Sequence, residues 1–277
     1  MARVEVPAEI GAPPAALRAL STIGWGFARV FSILVLAIGW EVLARSGAVT
    51  TYQLPALSAV LLRIWNDGVD GDLLLNTGLT LYRALVGFTI AGVAGIIIGM
   101  AMSRNAIARW FFDPIVSVGF PMPKIAFLPV VILWLGVFDI SKITMVVFDA
   151  IFPVVAATVI AVQGVERELI WSARNMGARD HELLWQIVLP AASPQIMTGL
   201  QVALPISLIV AVVAEMLMGG YGLGGAMMTA SRFANSTGVF AGIVEIAVIG
   251  YIMVKAMALL RRRLLNWHQE ANAPSTA

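Results

Sequence analysis

The sequence predicts an all-α, multi-pass membrane bundle of six transmembrane helices, and three observations carry that expectation. The 277 residues are 60% hydrophobic and 12% charged, where a water-soluble domain carries roughly 25% charge. The mean hydropathy is +0.89. Apolar runs long enough to cross a hydrocarbon core of about 30 Å recur along the chain.

The elements follow in order. Residues 1–26 contain Pro7, Pro13 and Pro14 and no sustained apolar run, so they are expected to form a cytoplasmic N-terminal tail. Residues 27–75 hold the first span, Phe27 to Ala44, and an outer loop. The sequence after it, Arg45-Ser46-Gly47-Ala48, lacks a small-x-small cleavage pattern, which reads as an uncleaved anchor. Residues 76–265 form the core, with runs at Leu79–Met102, Ile125–Phe138, Ile143–Val162, Ile196–Met218 and Val239–Leu260. In the third span Pro114, Pro121, Pro123 and Pro129 predict a broken or kinked segment packed inside protein. In the second, Ala91, Gly95 and Gly99 recur every fourth residue, a small-residue stripe for close helix packing. Residues 266–277 are a cytoplasmic C-terminal tail.

Orientation follows from the cations. Eleven arginines, including Arg104, Arg109, Arg167, Arg174, Arg179 and Arg261 to Arg263, fall on one side, against Arg45, Arg63, Arg83, Lys142 and Arg232 on the other. That places both termini and the 164–190 segment in the cytoplasm. Arg261 to Arg263 read as a positive stop signal.

Several chemistries are excluded. No cysteine means no disulfide, thiolate zinc or iron–sulfur site. His181 and His268 are the only histidines, and His181 has no neighbouring partner for a metal. A net charge of +2 is too balanced for a nucleic-acid binder. A phosphate-cradling P-loop needs Gly-x4-Gly-Lys-Ser/Thr, but the three lysines precede Ile125, Ile143 and Ala256. Gly220-Tyr-Gly-Leu-Gly-Gly225 matches a dinucleotide pattern by letters only, because it follows a membrane helix rather than a strand. It reads as a turn at the outer membrane edge.

Acids inside apolar runs default to functional hypotheses, and Glu41, Asp149, Glu215 and Glu245 qualify. Glu41 reads as snorkelling at the outer end of the first span. Glu215 is read as a structural hydrogen-bonding group.

The 164–190 segment is amphipathic and polar at its centre. Leu169, Ile170, Ala173 and Met176 lie at helical spacing, and Gly177 can close that helix in a left-handed conformation. Asp180 is expected to cap a second helix carrying Leu183, Leu184, Ile187 and Val188, with Pro190 beginning the next element. Arg174, Asn175, Arg179, Asp180, His181 and Glu182 surround the bend. Such a polar bend suits a partner protein.

The spacing Ala173, Gly177, Ile187, Leu189, Pro190 resembles the EAA motif of bacterial ABC importer permeases, the membrane subunits of binding-protein-dependent transport systems. The motif's Glu-Ala-Ala triplet here reads Trp171-Ser172-Ala173, so the family's glutamate is a tryptophan, and Glu168 is a candidate replacement for its charge. Trp171 reads either as an interfacial anchor or as a residue filling an ATPase pocket. Further stretches resemble the nitrate, sulfonate and taurine subgroup. They are Thr80-Leu81-Tyr82-Arg83-Ala84-Leu85-Val86-Gly87-Phe88, then Asp113-Pro114, Pro121, Leu128-Pro129 and Leu133-Trp134-Leu135-Gly136, and finally Glu215 with Gly222-Leu223-Gly224.

The resemblance implies a type I ABC importer permease-like bundle with a cytoplasmic coupling helix, in the bacterial inner membrane. It implies no catalytic residue, metal or cofactor in this chain, with ATP and magnesium on two copies of a separate ATPase. A periplasmic substrate-binding protein and a permease homodimer are the other implied partners, and the cargo is a small anion such as an aliphatic sulfonate, taurine or nitrate. The ATPase-coupling loop would comprise Glu168, Trp171, Ser172, Ala173, Arg174, Gly177, Arg179, Asp180, His181, Ile187, Leu189 and Pro190. Pathway or gate candidates are Glu215, Gly222, Leu223, Gly224 and Pro129. The competing expectation, an ATP-independent secondary carrier or channel, predicts inverted internal repeats and a polar mid-membrane site.

Overall fold

The computed structural model describes residues 31–69 and 71–265. Both predicted tails and the start of the first predicted span, residues 27–30, lie outside the described residues. Contacts divide the chain after Leu61.

In the first unit, helix α1 is described over residues 31–45. Trp40 Nε1 donates to the Pro55 carbonyl at 2.9 Å. Glu41 does more than snorkel. Its carboxylate accepts from Arg45 Nε at 2.6 Å, Ser58 Oγ at 2.8 Å and the Ser58 backbone N–H at 3.1 Å, tying α1 to the start of α2 (Leu57–Val69).

The second unit is a helical bundle around three long rods, α3 (Leu73–Arg104), α6 (Asp139–Gln163) and α9 (Leu189–Met218). Lipid is as apolar as leucine, so helices in it gain little from hydrophobic burial and depend on close fit. The small-residue stripe supplies that fit. A Cβ added at Gly95 would stand 2.8 Å from Val154 Cβ, and one at Gly99 would stand 2.6 Å from Thr158 Cβ. Ala91 is fully buried in the same seam with Ala150, Val154 and Ala203. On the other side of α6, Gly199 of α9 packs directly against Ala157.

Among the described residues four helices are long and apolar enough to cross a membrane, or up to five if the bent pair α4 (Ala106–Gly119) and Lys124–Leu135 counts as one span. That pair, ending in α5 (Leu128–Leu135), is the proline-interrupted segment, and its halves meet at 96°. The predicted Ile125–Phe138 span is therefore an elbow with a short second arm. Pro121 and Pro123 prevent a continuous ladder there, and Gly119 lets the Phe152 ring pass against the backbone.

One local expectation is corrected and another refined after α7 (Arg167–Asn175). Asp180 is not the cap of the second helix. Arg179 holds that position and its backbone N–H is taken by Glu182 Oε2 at 2.7 Å, while Asp180 is the first residue of α8 (Asp180–Glu182). Pro190 does stand in the first turn of α9, but α8, a π-turn and α9 follow one another without a break, so that Asp180–Met218 runs as one 39-residue helical rod. A π-turn at Leu183–Val188 accommodates the proline. Proline donates no hydrogen bond and crowds the carbonyl four residues back, and the wider π-turn relieves both problems.

The chain then makes a glycine loop, a short helix α10 (Leu223–Arg232) absent from the sequence reading, and α11 (Ser236–Leu264). Asn235 caps α11 by accepting from the Gly238 N–H at 3.0 Å.

Candidate coupling bend and buried polar cluster

The bend at residues 175–180 is closed by backbone geometry. Ala178 N–H reaches the Ala173 carbonyl at 3.1 Å and Gly177 N–H reaches the Arg174 carbonyl at 2.9 Å. These are the paired bonds of a Schellman closure, with Gly177 at φ +87°. A Cβ on Gly177 would meet nothing within 4 Å, so the glycine is required by conformation and not by space. Ala173 is buried, and Ile170, Leu184 and Leu189 pack onto a cluster of Ala161, Val165, Val188, Ala192 and Ile196. That cluster holds α7 against the adjoining ends of α6 and α9.

What remains outside is the presented surface. Glu168, Ser172, Arg174, Arg179, Asp180 and His181 are exposed. So are three large apolar side chains, Trp171 at 58%, Met176 at 78% and Trp185 at 62%. Arg174 and Asp180 form a loose exposed pair at 3.4 Å, of a kind worth little by itself. Ile187 and Leu189 are half-buried and Pro190 is exposed along the base of the rod.

The predicted gate residues gather at the far end of α9, except Pro129, which lies exposed in the first turn of α5. Glu215 is fully buried. Its carboxylate accepts from Thr80 Oγ1 at 2.8 Å, Arg83 Nη1 at 2.6 Å and the Gly224 N–H at 3.1 Å. The loop is bound down by the same groups. Asn76 Oδ1 accepts the Gly222 N–H at 2.8 Å, Thr80 Oγ1 accepts the Leu223 N–H at 3.0 Å, and Arg83 Nη1 donates to the Tyr221 carbonyl at 2.7 Å. Gly222 sits at φ +129°, and any Cβ there would overlap the Glu215 carboxyl.

Sequence reasoning missed five members of this cluster: Asn76, Thr80, Arg83, Asp139 and Lys142. Arg83 and Lys142 stand as outer-loop charges in the cation count, yet both are buried. Arg83 Nη2 is 2.7 Å from Asp139 Oδ1, and Lys142 Nζ donates to the Gly219 carbonyl at 2.9 Å. The signal was available, because a cation inside an apolar run is as costly as an acid and needs a partner. Glu215 is thus a structural acid at the node of three helices and a loop. Glu245 lines a separate cleft of ≈ 640 Å³ with Arg63, Asp67, Asn76, Tyr221 and Phe233.

Residues 91–266 match the model of the family described as binding-protein-dependent transport system inner membrane component. The chain is 31% identical to the putative aliphatic sulfonates transport permease protein SsuC of Bacillus subtilis, over 88% of this chain and 88% of that protein. It is 30% identical to the taurine transport system permease protein TauC of Escherichia coli, over 86% and 89%. To the nitrate import permease protein NrtB of a Synechocystis strain it is 28% identical, over 83% and 86%. The fold is also that of the MetNI methionine ABC transporter solved in inward-facing conformations, with a TM-score of 0.62 and 20% identity over 69% of this chain and 95% of that one. A bacterial transporter involved in alginate import gives a TM-score of 0.59 over 90% and 95% at 15% identity. The chain belongs to the inner membrane components of binding-protein-dependent transport systems: it is the non-catalytic, multi-pass permease subunit of an ABC importer, working with a separate ATPase.

Proposed function

We propose that this permease imports a small anion of the aliphatic sulfonate, taurine or nitrate kind, and that the 164–190 segment is its ATPase-coupling loop. The observation that carries the reading is a continuous lever. The bend with exposed Trp171, Met176 and Trp185 is mounted on the Asp180–Met218 rod, whose other end holds Glu215 and the glycine loop. At 1.5 Å per residue, 39 residues span ~58 Å, more than the bilayer's hydrocarbon core. Displacement of the bend by a docked ATPase is then delivered to the opposite membrane face.

In this reading Glu168 and Trp171, exposed three residues apart on α7, share the role of the motif's glutamate, the tryptophan filling a pocket and the acid supplying charge. The first span and the elbow bring the count to six, with both termini in the cytoplasm. Two copies of the chain pair, each offering one bend to one of two ATPase subunits, and a binding protein delivers cargo to the face bearing the glycine loop. The sulfonate, taurine and nitrate names of the relatives support the cargo class.

The test is reconstitution of the permease with its co-purified ATPase and binding protein in proteoliposomes. ATP-dependent accumulation of taurine, ethanesulfonate or nitrate is expected. Transport by the permease alone, without ATP, would overturn the proposal in favour of a secondary carrier.

A further inference from the structure

One ion pair lies away from both sites described above, at the elbow of the broken span. Lys124 opens the 3-10 turn Lys124–Phe127, and its Nζ stands 3.1 Å from Asp149 Oδ1 of α6. α6 runs Asp139–Gln163, so Asp149 lies ten residues from one end and fourteen from the other, ~15 and ~21 Å along the axis. The pair is therefore at mid-membrane depth whichever way the chain is oriented.

Its environment differs from that of Glu215. Glu215 is sealed, with three donors on its carboxylate. The Asp149 side chain is 27% exposed, against 10% for Lys124, and among the described residues no hydrogen bond reaches the Asp149 carboxylate. Lys124 is better satisfied, donating to the Phe120 carbonyl at 2.8 Å and lying 5.0 Å from the centre of the Phe152 ring. The Phe127, Phe148 and Phe152 rings follow edge to face beside it, at 5.6 and 6.2 Å. A half-open carboxylate at this depth is strongly disfavoured against lipid, so this face looks onto protein or a water-filled path. A carboxylate with a lysine as its one charged partner is also the chemistry that receives an ammonium group.

We infer that Lys124 and Asp149 form a mid-membrane station for a small zwitterion, with the cargo's ammonium on Asp149 and its acid group on Lys124. The inference rests on the anion-permease reading and narrows its cargo to an amine-bearing acid such as an aminoalkanesulfonate. Charge balance supplies the discrimination. A zwitterion opens the Lys124–Asp149 pair and replaces it with two pairs, leaving no charge uncompensated. A bare anion on Lys124 leaves Asp149 unpaired at mid-membrane, which is costly.

The assembled transporter, with ATPase and binding protein, is assayed in proteoliposomes with taurine and with ethanesulfonate, which lacks the amine. Each variant is compared with wild type for each cargo, so the binding protein's own preference cancels. Asp149→Asn is expected to cut taurine uptake by roughly tenfold, the loss of one charged hydrogen bond, and ethanesulfonate by less than about twofold. Equal loss of both cargoes, or of neither, overturns the station and leaves a structural staple. Uptake of ethanesulfonate or nitrate but not taurine by the wild type also overturns it. No ATP-dependent uptake of any of them sinks the anion-permease reading itself. Should Asp149→Asn fail to assemble, the absence of native cysteine provides a second measurement on an intact pair. Ala126→Cys, at an exposed position two residues from Lys124, is expected to react with a membrane-impermeant cationic methanethiosulfonate and to be protected by taurine but not by ethanesulfonate. Absence of reaction, or equal protection, overturns the station.

Discussion

Arg83 of α3 places Nη1 2.6 Å from Glu215 Oε1 near the end of α9, with both side chains buried and 132 residues of chain between them. The same guanidinium holds Asp139 at the start of α6 and the Tyr221 carbonyl of the glycine loop. One side chain thus fixes the ends of three rods and the loop that follows. Removing Arg83 strands the buried Glu215 carboxylate, whereas removing Glu215 leaves Arg83 paired with Asp139.

Arg83→Met is expected to destabilise the permease by about 3–5 kcal/mol, the usual cost of breaking a buried pair from one side, and Glu215→Leu by less, because Asp139 still pairs with Arg83. The double variant should lose clearly less than the sum, because neither charge is then stranded. Thermal unfolding of the detergent-purified protein measures this. Additive losses would mean that the two groups act independently.

Gly177→Val should uncouple transport from ATP hydrolysis. A β-branched residue at φ +87° is strained by roughly 1–2 kcal/mol, enough to reshape an exposed bend without unfolding the bundle. Gly177→Asn, which tolerates the left-handed region, should stay close to wild type. The readout is cargo moved per ATP hydrolysed, and an unchanged ratio in Gly177→Val would count against the lever.

Gly95→Leu should disrupt the α3–α6 seam, since even a Cβ there stands 2.8 Å from Val154 Cβ and 3.2 Å from the Ile151 carbonyl. Overpacking of this kind costs about 1–3 kcal/mol. Paired with Val154→Gly, which removes the facing Cβ, part of the loss should return. Yield and unfolding temperature in mild detergent report both.

Trp171→Ala should weaken ATPase retention during purification while leaving the permease's unfolding temperature unchanged, because Trp171 is 58% exposed. Glu168→Gln tests the other half of the contact. Retention equal to wild type in the double variant would remove α7 from the interface.

Much of the bundle could be read along the chain. A run of apolar residues is a local sum, and α3, α6, α9 and α11 each contain the span expected of them. The small-residue stripe at Ala91, Gly95 and Gly99 marks the seam with α6, because close approach demands the same residues wherever it occurs. Gly177 announced its turn for a similar reason: few residues accept positive φ. The departures came where neighbours outweigh propensity. Pro190 does open α9, but the π-turn at Leu183–Val188 joins it to α8 within one rod, which no local signal announces. Asp180 is a good cap by residue type, yet Glu182 captures the N–H of Arg179 first.

The sequence by itself determined that the chain lives in a membrane, where its elbow and the turn at Gly177 fall, and which family it resembles. All of these depend on composition, short-range spacing and backbone chemistry. Only the tertiary structure decided which charges meet. Thr80, Arg83, Asp139, Lys142 and Glu215 are scattered over 136 positions, and even the acids that stand out singly, Glu215 and Asp149, show no partner along the chain. In a medium that cannot solvate them, their cost forces them into contact, and the identity of each partner is set by helix packing rather than by anything adjacent in the chain.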